Sequence, residues 1–255
     1  MQQPLTILIT GATAGFGLAI AERFAADGCA LILTGRRQDR LDALAADLPA
    51  RFPCTVYTLC FDVRRRQEVE SALQGLPAPW QAIDLLVNNA GLAAGFDFIQ
   101  DADPDDWDRM IDTNVKGLLY VTRSIVPGMV ARKKGHIINI GSTAAKTVYE
   151  KGAVYNASKF ALDALSQGMR IDLLKHGIKV TAVHPGAAET EFSLVRFNGD
   201  AERAKNVYKG FEPLHGEDIA DVVHYVSHLP AHVCINDLVI TPTAQANSNF
   251  IYRHS

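Results

Sequence analysis

Seven short runs of β-branched and aliphatic residues recur along the chain, and each is followed by a longer segment with a different rhythm. The runs are TILIT (6–10), ALILTG (30–35), CTVYTLCF (54–61), IDLLVNNA (83–90), GHIINIGS (135–142), IKVTAVHPG (178–186) and NDLVITP (236–242). The intervening segments, such as AGFGLAIAERFAADG and QDRLDALAADL, place apolar residues three and four apart. Strand–helix–strand repetition of this kind predicts an α/β fold, a doubly wound parallel sheet with helices on both faces. The runs are almost continuously apolar, as strands become when both sheet faces are covered. No linker, repeat or low-complexity tract interrupts them, so a single domain over 1–255 is expected. Two helical patterns are unusually long, 114–132 and 153–175. Pro127 and Gly128 predict a kink or an early end in the first. Residues 187–215 break the rhythm, and an excursion after a late strand is expected to serve as a lid over a site.

Composition narrows the function classes. A chain of 255 residues that is 48% hydrophobic can bury one sizeable core. A net charge of -3 leaves no nucleic-acid footprint. No apolar stretch is long enough to cross a bilayer. The opening MQQPLTILITGATAG has neither a basic n-region nor a long apolar core, so no secretory leader is expected and the cytoplasm is the expected location. The four cysteines, Cys29, Cys54, Cys60 and Cys234, form neither a C-x-x-C pair nor a metal spacing. They fit a reducing compartment, and no metal is expected.

The stretch GATAGFG, 11–17, joins the first strand to the first helix. Such an order puts helix N–H groups and the positive dipole end at the turn, where a pyrophosphate binds. Gly11 permits a sharp turn, and Gly15 and Gly17 allow close backbone approach. An NAD site usually has a carboxylate at the end of the second strand. Here Leu33-Thr34-Gly35 runs into Arg36 and Arg37. Guanidinium forks match a 2′-phosphate, which favours NADP(H); the alternative is that both arginines are solvated starts of a helix.

Tyr155 and Lys159 are four apart at the start of the second long helix and share a face. A neighbouring ammonium favours the phenolate, so Lys159 is expected to lower the pKa of Tyr155 and prepare it for proton transfer. Ser142 follows the fifth run, at the carboxyl end where open α/β sheets bind ligands. Asn114 opens the first long helix and is positioned to anchor a water that relays protons from Lys159. Taken singly, each residue has a bland reading as a strand end, a helix cap or a surface pair.

The combination resembles the short-chain dehydrogenase/reductase family nearly end to end. The resemblance rests on T-G-x-x-x-G-x-G at Thr10 to Gly17, Asp62-Val63, Asn88-Asn89-Ala90-Gly91, Asn114, Ser142, Tyr155-x-x-x-Lys159 and Pro185-Gly186. It implies a Rossmann-type fold and a tetrad in which Tyr155 is the acid/base, Lys159 lowers its pKa, Ser142 positions substrate and Asn114 holds the relay water. It implies cofactor contacts along the loop at Thr10, Gly11, Thr13, Ala14, Gly15, Phe16 and Gly17, and adenine contacts at Asp62 and Val63. Asn88, Ala90, Gly91, Tyr155 and Lys159 would line the cofactor, with Pro185, Gly186, Ala188 and Thr190 against the nicotinamide. A homotetramer is implied as well, through the two long helices; Ala157, Phe160, Ala161 and Ala164 form a stripe suited to close approach, although a core stripe looks the same.

Within that family the wording is similar to NADP-dependent 3-hydroxy acid (serine) dehydrogenases and to sulfoacetaldehyde reductases. Both act on a short chain ending in an anion, so the implied reaction is reversible reduction of a small anionic aldehyde, sulfoacetaldehyde or malonate semialdehyde. Dehydrogenation of serine or another 3-hydroxy acid is the alternative, ahead of a broad carbonyl reductase or a non-catalytic NADP sensor. A buried anion needs a cation or several donors. Arg196 is the candidate, with a surface ion pair to Glu191 or Asp200 as its bland reading. Tyr149 and Gln245 would add hydrogen bonds, Ser142 and Tyr155 would hold the carbonyl, and Phe250 would close the site from the tail, of this chain or of another subunit. Glu189 is an unwelcome charge near such a substrate unless it faces away or pairs with a cation.

Overall fold

Each apolar run becomes a strand: β1 Thr6–Thr10, β2 Ala30–Gly35, β3 Thr55–Cys60, β4 Leu85–Asn88, β5 Gly135–Ile140, β6 Ile178–Pro185 and β7 Asp237–Ile240. The computed structural model describes residues 5–197 and 199–254. All seven strands are parallel, in the order β3-β2-β1-β4-β5-β6-β7. The order reverses between β1 and β4, which opens a crevice at the carboxyl ends of the strands. Alternation along the strands feeds two cores. Ile7, Ile9, Leu31, Leu33 and Val87 pack on one face with Ile20 and Phe24 of α1 (Gly15–Ala26), Leu41 of α2 (Gln38–Arg51) and Val223 of α9 (Gly216–Ser227). Leu8, Ile32, Leu86 and Ile137 pack on the other with Val69 of α3 (Arg66–Gln74), Val121 and Met129 of α5 (Leu118–Arg132) and Leu173 of α6 (Ala153–Leu173). Each aliphatic side chain so buried contributes about 1.5–3 kcal/mol.

The first long helical pattern is composite. A short α4 (Pro104–Ile111), which the sequence did not announce, widens into a π-helical turn over Asp112–Gly117 before α5 begins. Such turns concentrate at functional sites, and this one carries Asn114. The early end that Pro127 and Gly128 allow does not occur, since α5 runs through both to Arg132. Over 187–215 the described backbone forms two short helices, α7 (Glu191–Arg196), which lines the cleft at the carboxyl ends of the strands, and α8 (Ala201–Asn206). All four cysteines are free. Among the described residues, no helix is long and apolar enough to cross a membrane.

Candidate active site

A cleft of about 650 Å³ opens at the reversal point, lined by the glycine loop, the end of β2, the loop after β4 and the ends of β5 and β6. Gly11 (φ +65°) and Gly15 (φ +53°) adopt left-handed backbone, and a Cβ on Gly17 would lie 2.4 Å from the Gly11 carbonyl oxygen. Gly17 therefore acts by packing α1 against the loop and does not itself line the cleft. Ala14 caps α1 without a side-chain hydrogen bond, which leaves the first N–H groups of a 12-residue helix turned to the cleft. Thr13, Ala14, Gly15 and Phe16 line it.

Two sequence expectations need correction here. Thr10 is buried, and its Oγ1 accepts hydrogen bonds from the Asn89 and Ala90 N–H groups. Asn88 is buried too, donating to Thr122 and to Asn139 of β5, both at 2.9 Å. Neither faces the cleft; they brace the strands beneath it. Asn89, passed over in the sequence, lies in the cleft wall and donates to the carbonyl oxygens of Thr10 and Gly11. Period-two alternation, with Asn88 taking the core side of β4, was the available signal.

At the end of β2, Arg36 is exposed, while Arg37 donates to Thr13 Oγ1 at 2.9 Å and to Glu191 at 3.1 Å. Arg40, on the same face one turn on, donates to Glu191 at 2.7 Å. The two guanidinium groups hold the Glu191 carboxyl below its ordinary range. Three arginines at the start of α2 oppose its dipole, an arrangement that an anion at this spot would offset. Thr34 Oγ1, buried beside them, has no partner. Asp62 and Val63 line the cleft nearby, but the Asp62 carboxylate is already gripped by Arg64 at 2.6 Å.

The four tetrad candidates converge at the ends of β4 and β5. Lys159 is buried, its Nζ donates to the Ile140 carbonyl at 3.0 Å, and burial lowers its pKa to about 8. That Nζ lies 5.9 Å from the centre of the Tyr155 ring. The expectation that Lys159 acidifies Tyr155 is not met. Burial dominates and raises the phenol's pKa, Tyr149 adds to the rise, and Ser142 and Arg196 oppose it. Tyr155 is therefore held neutral at pH 7, as a proton donor. Ser142 caps a short 3₁₀ turn by accepting from the Ala144 N–H at 3.1 Å. Behind it stands His184, fully buried, with Nδ1 3.4 Å from the Ser142 nitrogen and 3.2 Å from its carbonyl oxygen. Asn114 uses its side chain structurally: Oδ1 accepts from Leu92 N–H, and Nδ2 donates to the Leu92 carbonyl and to Ser158 Oγ. Its amide thus ties the loop after β4 to the π-helical turn and to α6.

On the wall that carries Tyr155, Arg196 sits among aromatic rings, its Cζ 4.6 Å from the centre of Phe96, 5.4 Å from Tyr149 and 5.9 Å from Tyr155. Among the described residues it has no carboxylate partner, since Glu191 is engaged by Arg37 and Arg40. Its Nε, the Tyr149 hydroxyl and Ser248 Oγ are all buried without a hydrogen-bond partner among the described residues, and all three residues line the cleft. Gln245 lines the cleft as expected, but its amide is committed: Oε1 accepts from Ala187 N–H at 2.7 Å and Nε2 donates to the Asn247 carbonyl at 3.1 Å. Phe250 is 70% exposed and lies outside the cleft, so it does not close the site within this chain. Glu189 is exposed and does not line the cleft. Pro185, Gly186, Ala188 and Thr190 line the cleft. Phe192, on the Tyr155 ring at 5.7 Å, and Tyr208, donating to the Ala188 carbonyl, were not foreseen from the sequence.

Likeness to known proteins agrees with this geometry. Residues 5–199 match the family model described as short chain dehydrogenase. The chain is 48% identical over 243 residues to the NADP-dependent 3-hydroxy acid dehydrogenase YdfG of Salmonella typhi, covering 95% of this chain and 96% of the relative. It is 46% identical over 245 residues to sulfoacetaldehyde reductase 2 of Chromohalobacter salexigens, covering 96% of each. The solved closed form of serine dehydrogenase complexed with NADP+ superposes with a TM-score of 0.90 at 46% identity, over 98% of this chain and 99% of that one. With the glycine loop, the parallel sheet and the Ser142–Tyr155–Lys159 cluster in one cleft, and relatives matched nearly end to end, the chain belongs to the short chain dehydrogenase family.

Proposed function

We propose that the protein is an NADP(H)-dependent oxidoreductase that reduces a small anionic aldehyde, sulfoacetaldehyde or malonate semialdehyde, reversibly to the alcohol. The observation that carries this reading is the Arg196 guanidinium, without a carboxylate partner among the described residues, beside the neutral Tyr155 hydroxyl, a cation placed for a substrate anion next to a proton donor. Relatives named for 3-hydroxy acid oxidation and for sulfoacetaldehyde reduction support the same class. The uncapped start of α1 receives the pyrophosphate, and Arg36 and Arg37 read the 2′-phosphate. The bound cofactor supplies hydride. Ser142 holds the carbonyl oxygen, Tyr155 protonates that oxygen as negative charge develops on it, and Lys159 sustains the proton supply from behind. Residues 187–215 act as a lid that brings Phe192 and Arg196 over the substrate. The proposed setting is the cytoplasm. The proposed assembly is a homotetramer, supported by exposed apolar side chains on two separate faces: Leu119 and Phe160 on α5 and α6, and Tyr225 and Val239 on α9 and β7.

The test is steady-state NADPH oxidation with paired aldehydes. Arg196→Ala should lower kcat/KM for either anionic aldehyde by about 10–100-fold, the range for a hydrogen bond to a charged group, and lower that for propanal far less. A uniform loss across all substrates would assign Arg196 to folding instead. Tyr155→Phe should remove turnover while leaving NADPH binding intact; full activity in that variant would refute its role.

A further inference from the structure

The substrate anion could be planar, with two oxygens, or tetrahedral, with three. The cleft around Tyr155 answers this through its unpaired donors. Buried polar atoms almost always have partners, yet three side chains in this wall do not: Tyr149 Oη, Arg196 Nε and Ser248 Oγ. Among the described residues, Thr34 Oγ1 is the remaining unpaired buried side-chain polar atom in the cleft wall, and it belongs to β2 at the arginine end. Ser248 owes its place to two anchors on either side. Gln245 ties the C-terminal segment to the Ala187 N–H, beside the Pro185–Gly186 turn. Asn249 Nδ2 donates to the Val148 carbonyl at 2.9 Å, next to Tyr149. The segment is pinned at both ends, with the Ser248 hydroxyl left between them, buried and unused. Neither anchor involves Ser248 Oγ, so fold stability does not account for the hydroxyl.

We infer that Ser248 is a specificity-determining residue that, with Tyr149 and Arg196, completes a three-donor site for a tetrahedral oxyanion, and that the preferred substrate is an aldehyde bearing a sulfonate. Each donor meets one sulfonate oxygen. A carboxylate satisfies two donors and leaves the third buried and unpaired, which is the source of discrimination. This inference rests on the anionic-aldehyde reading above and adds the shape of the anion.

The experiment compares kcat/KM for sulfoacetaldehyde, malonate semialdehyde and propanal in the wild type and in Ser248→Ala. In the wild type, sulfoacetaldehyde should exceed malonate semialdehyde. In Ser248→Ala, the ratio of sulfoacetaldehyde to malonate semialdehyde should fall about tenfold. A ratio taken within one variant does not depend on how much of the preparation is folded, and the Kd for NADPH checks the cofactor site. An unchanged ratio, or a wild type that prefers the carboxylate, overturns the three-donor site while leaving the anionic-aldehyde reading standing. A wild type that reduces propanal as well as either anion overturns that reading itself.

Discussion

Lys159 shows how a single residue can be costly to the fold and necessary to the site. Its ammonium is buried, with the Ile140 carbonyl as its one hydrogen-bond partner among the described residues, and its pKa falls from 10.5 to about 8. Between those values the unfolded chain binds more protons than the folded one, so stability climbs with pH across this window. Below pH 8 the full penalty is present. Lys159→Met should therefore raise the stability of the cofactor-free protein at pH 7 by about 2 kcal/mol, once the lost hydrogen bond is set against the relieved charge. The gain should shrink towards pH 10.5, and turnover should be lost. Thermal melts at both pH values check this, and an equal or negative effect at pH 7 would show that the ammonium is better solvated than its burial implies. Ser142 depends on a neighbour in a different way. His184 presses on the backbone before it, where a Cβ on Gly141 would lie 2.3 Å from the imidazole, so the serine's position is fixed by packing from β6.

At the scale of elements, the 187–215 excursion is held by a small number of polar ties. Glu191, at the start of α7, bridges Arg37 and Arg40 at the start of α2. Tyr208 links Ser193 to the Ala188 carbonyl. The bridge places a carboxylate on Arg37, one of the two arginines proposed to receive the 2′-phosphate. Glu191→Gln should then tighten NADPH binding two- to fivefold at low salt, the scale of exposed charge interactions, with little change for NADH. It should also speed amide exchange across α7 and α8. Equal tightening for both cofactors, measured by titration, would separate Glu191 from the phosphate site. The glycine loop behaves oppositely, since its geometry is set by contact: Gly11, Gly17 and Asn89 leave no room for a Cβ between loop and helix.

For the whole molecule, the apolar faces on α5 and α6 and on α9 and β7 predict a tetramer by sedimentation, and Phe160→Lys should reduce it to smaller species. A wild-type monomer would refute the assembly. The layered sheet itself was legible along the chain. TILIT and ALILTG became β1 and β2 with their bounds unchanged, because continuous apolar runs and helical spacing are local patterns that solvent exclusion enforces wherever they occur. The run 83–90 shortened to Leu85–Asn88 because Asn89 leaves the ladder to bond the glycine loop, some 78 residues away. The chemistry-bearing types were legible too, since Tyr155, Lys159 and Ser142 sit where strand ends and helix faces must put them. Three outcomes were decided only by tertiary packing. Asn88 faces the core and Asn89 the cleft. Glu191 meets Arg40 across 151 residues. Gln245 is consumed by backbone, whereas the Ser248 hydroxyl is left without a partner among the described residues. Period and composition act between neighbours in sequence, and so they determined the layers and the cofactor turn. Which polar atom ends up paired and which stays open to a ligand depends on segments that meet only after the core has closed.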